Sequence, residues 1–102
     1  MRAILFLALS LALNPVASVS AQERAEAGHF LAQQWCSGCH QVAPDVPAKE
    51  IAPPFASLAN NRSEDLSWAR ARLQNPPYPM LGIDLSRDQI EDIVAYFDSL
   101  QD

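Results

Sequence analysis

The chain has 102 residues, of which twelve are acidic and seven basic, giving a formal net charge of −5. This length suits one small domain, in a size range where a hydrophobic core alone is often marginal. The acidic balance argues against partners such as nucleic acid or anionic lipid, and it fits either encounter with basic partners or simple solubility.

The first residues are typical of a secretory signal. Arg2 gives a positive start, residues 3–13 form an apolar run, and Val19-Ser20-Ala21 offers small residues before a cleavage site. The run is too short to span a bilayer as a stable helix, although an uncleaved membrane anchor is the alternative. We expect a signal peptide at residues 1–21, one exported domain at residues 22–102, a periplasmic location and no stable membrane insertion after cleavage.

Residues 22–35 are predicted to form the first helix. Gly28 is unusual in a helix interior, where it costs about 1 kcal/mol relative to alanine, so it indicates either close approach of another helix or a tolerated surface glycine. His29 has no second potential ligand nearby, and we expect it at the surface. The apolar side chains expected on the buried face are Phe30, Leu31 and Trp35.

The segment Cys36-Ser37-Gly38-Cys39-His40 has the C-x-x-C-H pattern of covalent haem attachment. Two cysteines on one helical turn can each add across a vinyl group of one porphyrin, and the adjacent imidazole can ligate the iron. A zinc site needs about four ligands, and a thioredoxin-like motif needs a βαβ setting that is not visible. A plain disulfide or dithiol remains the alternative.

A proline-rich loop follows the motif and is suited to form a rigid wall beside a cofactor. One carbonyl in this loop should accept the proton of the far nitrogen of His40 and so fix the orientation of the imidazole. The Pro53 carbonyl is our candidate, with Pro54 next to it. Phe55 and Leu58 are expected to face the haem from a short helical turn.

A second clear helix is predicted from Ser63, with Pro76-Pro77 stopping it. Trp68 in this helix is expected in the core, or with its indole N–H on a haem propionate. The proline-stiffened loop at residues 75–85 carries Met80, the only methionine besides Met1. A methionine in an irregular loop is an unusual packing residue, and we predict that its thioether ligates the iron.

Ser86 and Gln89 form a predicted capping box that begins the last helix. Its apolar residues follow at helical spacing, and Tyr96 or Phe97 is expected to pack over Gly28, so that the first and last helices close the domain. The alternative for Tyr96 is a half-exposed surface aromatic.

With these features in place, the chain resembles a small bacterial class I cytochrome c over essentially all of residues 22–102. The resemblance implies an all-α, cytochrome c-like fold, with about three main helices and short turns around one covalently attached haem c. It implies Cys36 and Cys39 as thioether attachment points and His40 and Met80 as axial ligands of the iron. The central region is short and departs from that of longer members of the family. This departure affects the assignments of Pro53 and Trp68 more than those of the ligands.

A histidine–methionine pair fills both axial positions, so the iron can exchange an electron but cannot readily bind a substrate. We therefore expect a monomeric periplasmic monohaem cytochrome that carries single electrons between donor and acceptor redox proteins, and not an enzyme. The alternative is a haem-bearing electron-transfer subunit of a periplasmic dehydrogenase or oxidase complex. A gas sensor or peroxidase would require Met80 to leave the iron.

Overall fold

The computed structural model describes residue 3, residues 19–60 and residues 65–102. Most of the predicted signal peptide and the predicted helix start at Ser63 lie outside these ranges. The described chain forms four α-helices and one single-turn 3₁₀-helix, with no strand, so the all-α prediction is confirmed. The α-helices are α1 (Ala21–Trp35), α2 (Phe55–Asn60), α3 (Ser67–Gln74) and α4 (Arg87–Ser99), and the 3₁₀-helix is Met80–Gly82.

The ends of the helices follow from local side-chain chemistry. The Ser86 hydroxyl accepts from the Gln89 N–H at 3.2 Å and the Gln89 side chain accepts from the Ser86 N–H at 2.9 Å, so the predicted capping box is present. At the start of α3, the Asp65 carboxylate accepts from the Ser67 N–H at 2.8 Å. This helix ends at Gln74, shortly before Pro76-Pro77. Among the residues in the ranges above, no helix has the length and apolar character that a membrane span requires.

Helices α1 and α4 cross at Gly28, which confirms the close approach of another helix and excludes a surface glycine. The atoms that lie nearest to Gly28 differ from the prediction. A β-carbon at Gly28 would lie 2.0 Å from the carbonyl oxygen of Asp92 and 2.9 Å from the backbone nitrogen of Ile93. The three atoms nearest to this position all belong to the backbone of α4, and none of them to the side chains of Tyr96 or Phe97. An ion pair of 3.2 Å between Arg24 and Asp92 supports the same crossing.

The buried face of α1 also differs from the prediction. The helix buries Gly28 and Ala32, whereas Phe30 is 60% exposed and Trp35 is 49% exposed. Two backbones that approach closely leave room only for small side chains between them. Phe30 lies two residues from Gly28, about 200° around the helix, and so faces solvent. Of the three apolar residues expected in the core, Leu31 alone packs partly against it.

Tyr96 is buried, which excludes the half-exposed alternative, and His29 is not a plain surface residue. The two rings stack with their centroids 4.7 Å apart and their planes within 7°. The Tyr96 hydroxyl donates a hydrogen bond to the carbonyl of Val42, which is itself buried. His29 is adjacent to Gly28, so the close helix crossing places its ring against α4.

Candidate cofactor site

The two cysteines and the histidine of the C-x-x-C-H motif lie on a tight turn that continues from α1. Cys36 caps the helix, its N–H donating to the Ala32 carbonyl at 2.8 Å. The N–H groups of Cys39 and His40 both donate to the Cys36 carbonyl, at 3.2 and 2.9 Å. The turn thus holds all three side chains of the motif next to one another at the end of α1.

The two thiols have different surroundings. Cys36 is buried and Cys39 is exposed, and both are free thiols. Burial raises the pKa of Cys36 to about 11, because a thiolate is poorly solvated in the protein interior. In the described part of the chain, no three His, Cys, Asp or Glu side chains are placed to share a metal ion. The motif therefore does not form a metal-binding cluster of its own.

The orientation of His40 is set by the loop that follows it. The imidazole Nδ1 lies 2.7 Å from the carbonyl oxygen of Pro53, so the predicted hydrogen bond is confirmed. A carbonyl oxygen can only accept, so Nδ1 is the donor, and in the neutral form of the ring the lone pair is on Nε2. The Phe55 ring meets the imidazole edge-on, with centroids 5.2 Å apart. Neutral imidazole with a free lone pair is the form that ligates a metal.

Two further hydrogen bonds hold this loop in place. The Phe55 N–H donates to the Gln41 carbonyl at 2.9 Å, and Tyr96 donates to the Val42 carbonyl. The first bond joins the two ends of the loop, directly after His40 and directly after Pro53-Pro54, and the second links the start of the loop to α4. The carbonyl that orients His40 is therefore fixed relative to both α1 and α4.

Two cavities adjoin at this site. Together, their walls contain every residue that we predicted to attach, ligate or face the cofactor. The first has a volume of about 230 Å³ and an almost wholly apolar wall. Its wall contains the predicted residues Cys36, His40, Pro53, Phe55, Leu58, Trp68 and Met80. The second, of about 450 Å³, shares Cys36, His40, Pro53 and Met80 with the first and adds Cys39. The fold therefore brings Met80 close to the motif, although the two are far apart in the sequence.

The first cavity also has a wall that sequence reasoning missed. Four residues of α3 and α4 that were not assigned to the site line it: Ala69, Arg72, Leu73 and Phe97. Trp68 meets Phe97 edge-on, with centroids 5.7 Å apart, and so packs against the core while it lines the cavity. The spacing of Trp68, Ala69, Arg72 and Leu73 corresponds to one helix face, and this periodicity was the signal available in the sequence.

The residues present fit a covalently attached haem. Two free thiols, an oriented imidazole and a thioether line the two adjoining cavities, and these are the ligand types that c-type haem requires. The apolar wall suits the porphyrin ring, and Arg72 places one cationic side chain at its edge. His40 and Met80 would hold the iron, and Cys36 and Cys39 would hold the porphyrin.

Comparison with known proteins gives an independent result. The chain is 37% identical over 99 residues to cytochrome c-552 of Bradyrhizobium diazoefficiens, and the alignment covers 91% of this chain and 92% of that protein. No family model matches the chain. No solved structure matches it at a significant level. Similarity of this extent over nearly the whole length of both proteins shows that the chain belongs to the small c-type cytochromes.

Proposed function

We propose that this chain is a periplasmic carrier of single electrons, with one haem c attached through Cys36 and Cys39 and axially ligated by His40 and Met80. Membership of the c-type cytochromes supports a monohaem electron-transfer protein. The observation that carries the proposal is the 2.7 Å hydrogen bond from His40 Nδ1 to the Pro53 carbonyl, beside a cavity that Met80 also lines. It supports His40 Nε2 as the first iron ligand.

Met80 is held on a short, defined turn. Its N–H donates to the Pro77 carbonyl at 2.6 Å, and its carbonyl accepts from the Ile83 N–H at 3.1 Å. These bonds limit the movement of the thioether relative to the cavity. If His40 and Met80 both ligated the iron, small molecules such as oxygen would have no ready access to it.

The bound haem would supply a reversible one-electron couple, and the histidine–methionine ligand set raises its reduction potential. The apolar side chains of Phe55, Trp68 and Leu73 line the first cavity and would limit the access of water to the cofactor. The Pro53 carbonyl also accepts the hydrogen bond of His40 Nδ1, which would leave Nε2 as the ligand atom. No acid, base or nucleophile is needed for electron exchange, so the chemistry rests on the cofactor.

Export completes the proposal. We infer that residues 1–21 are removed and that the working chain is residues 22–102. Ser20 caps α1 by accepting from the Glu23 N–H at 3.1 Å, so cleavage after Ala21 would remove this cap and leave the new amino terminus in the first turn. N-terminal sequencing of protein from the periplasmic fraction should begin at Gln22.

The function is tested on holoprotein made in a host that attaches haem to C-x-x-C-H motifs. We expect a reversible one-electron redox titration, and no rapid binding of carbon monoxide to the reduced protein at neutral pH. Rapid and complete carbon monoxide binding would mean an open iron site and would contradict a simple carrier. Purification from the native periplasm as a small monomer supports the carrier, whereas constant co-purification with a larger dehydrogenase or oxidase would favour the subunit role.

A further inference from the structure

The proposed cleavage after Ala21 makes a glutamine, Gln22, the first residue of the mature chain. The small side chains of Val19 and Ala21 stand at the third and first positions before this cut, in the pattern of a signal-peptide cleavage site. A glutamine at an amino terminus has a reaction of its own. Its side-chain amide carbon lies at the distance from its α-nitrogen that closes an unstrained five-membered ring.

The side chain of Gln22 is available for this reaction. Gln22 lies on the first turn of α1 and is exposed. Within the described ranges, its amide makes no hydrogen bond or ion pair with any other residue. No packing contact or polar partner among these residues therefore has to be broken before the side chain turns back toward the chain terminus.

The cut also loosens the first turn of α1, because the turn is held by Ser20. The Ser20 hydroxyl accepts from the Glu23 N–H at 3.1 Å, and the Ser20 carbonyl accepts from the Arg24 N–H at 3.0 Å. Both acceptors leave with the signal peptide, and a helix end without such partners frays. The ion pair between Arg24 and Asp92 remains, so the loosening is confined to the residues before Arg24.

We propose that Gln22 is a modification site, at which the mature amino terminus closes into a neutral pyrrolidone ring, the residue known as pyroglutamate. The α-nitrogen attacks the side-chain amide carbon. A carbon–nitrogen bond forms there as the bond from that carbon to the amide nitrogen breaks, and ammonia leaves with one proton from the α-amine. No oxidant, reductant or co-reactant is consumed. The inference rests on the export and cleavage in the proposed function, and it is independent of the haem.

Ring closure changes the charge and the chemistry of the terminus. A free α-amine would place a positive charge at the positive end of the α1 dipole, whereas the lactam nitrogen carries none. The chain therefore becomes more negative by one charge. Aminopeptidases that require a free α-amine lose their substrate, so the end that cleavage loosens is protected from trimming.

The test uses haem-loaded protein purified from the periplasm and aged in neutral buffer. We expect the intact mass to fall by the mass of one ammonia, with a first-order time course that does not depend on protein concentration. Fragmentation should place the loss at residue 22, which is the first residue in both forms. Anion exchange should retain the aged chain more strongly, and an aminopeptidase that trims the fresh chain should leave the aged chain intact.

Two controls isolate the reaction. Gln22→Asn keeps an exposed amide, but its side chain is one methylene shorter and would need a strained four-membered ring. A chain exported with a different signal peptide that leaves Ala21 in place has the same glutamine away from the terminus. Neither chain should lose ammonia at residue 22 or become resistant to the aminopeptidase.

An aged chain that begins at Gln22 and keeps its free α-amine would overturn the inference. Equal loss of ammonia from Gln22→Asn would also overturn it. A chain that begins at another residue would overturn the cleavage site in the proposed function as well. By contrast, a haem-bearing chain with a free α-amine on Gln22 would overturn the modification alone.

Discussion

Gly28 and Asp92 meet backbone to backbone, with space for a hydrogen atom but not for a methyl group between them. A β-carbon at Gly28 would lie 2.0 Å from the Asp92 carbonyl oxygen, and the neighbouring atoms that it would meet also belong to the backbone of α4. No side-chain rotation can relieve such a contact. The crossing of the first and last helices, which closes the domain, therefore depends on the absence of a side chain at Gly28.

Replacing Gly28 with alanine should lower the free energy of unfolding by about 2–3 kcal/mol, because α1 and α4 must move apart. This loss exceeds the gain of about 1 kcal/mol from the better helix propensity of alanine. Denaturant unfolding of the holoprotein measures the difference. Gly38→Ala is the control, since a β-carbon there meets nothing within 4 Å. A Gly28→Ala protein as stable as the Gly38→Ala protein would contradict the crossing.

Replacing Tyr96 with phenylalanine should destabilise the loop that orients His40. The change leaves the buried Val42 carbonyl without the Tyr96 hydroxyl, at an expected cost of about 1–3 kcal/mol. Thermal unfolding of the holoprotein measures the loss, and hydrogen exchange at residues 41–55 shows whether it is located in the loop. Tyr78→Phe, which changes an 84% exposed tyrosine, should leave stability unchanged. An equal loss of stability in Tyr96→Phe and Tyr78→Phe would show that the Tyr96 hydroxyl does not stabilise the loop.

Replacing Met80 with alanine or leucine should lower the reduction potential and allow carbon monoxide to bind the reduced protein. Loss of the thioether removes a ligand that favours the reduced iron, and it opens the sixth coordination position. The leucine variant keeps an apolar side chain of similar size, so it separates loss of ligation from loss of packing. Redox potentiometry and the carbon monoxide spectrum measure both effects. An unchanged potential in Met80→Leu would exclude Met80 as a ligand.

The ion pair between α3 and α4 should make stability depend on pH. Arg70 binds the Glu91 carboxylate through two nitrogens, at 2.6 and 3.0 Å, and this hydrogen bonding and charge hold the pKa of Glu91 below its usual value. A carboxylate whose pKa is lower in the folded state stabilises the protein above its unfolded-state pKa, and the stabilisation is lost as pH falls through the folded-state pKa.

Glu91→Gln should therefore lower the free energy of unfolding at about pH 7, and the difference from the parent should disappear as the solution is made acidic. The side chains are partly exposed, so the effect should stay below about 1 kcal/mol. Urea titrations across the acid range measure it. Glu50→Gln, in an exposed loop, controls for the change in net charge. A difference that grows on acidification would contradict the assignment.

Features encoded in short segments could be predicted from the sequence. The turn of the C-x-x-C-H motif and the capping box of Ser86 and Gln89 each depend on residues within a few positions of one another. The hydrogen bond between His40 and Pro53 spans thirteen residues, but it was predictable because an oriented imidazole needs an acceptor and the intervening loop is short.

Features that depend on how helices cross could not be predicted in the same way. The identity of the buried face of α1 follows from the approach of α4, which places the Asp92 backbone on Gly28 and turns Phe30 to solvent. The stack of His29 on Tyr96 joins residues far apart in the chain. Apolar periodicity indicates that a helix is amphipathic, but it does not specify which neighbour approaches or how closely.

The proposed electron transfer requires that one haem is bonded to Cys36 and Cys39. It is tested most directly by purifying the chain from a host competent in haem attachment and recording the reduced spectrum in alkaline pyridine, with the intact mass of the same sample. We expect one haem per chain that acidic organic solvent does not extract, with both vinyl groups saturated, and no covalent haem in Cys36→Ser/Cys39→Ser. A colourless chain, or haem that is fully extracted, would contradict it.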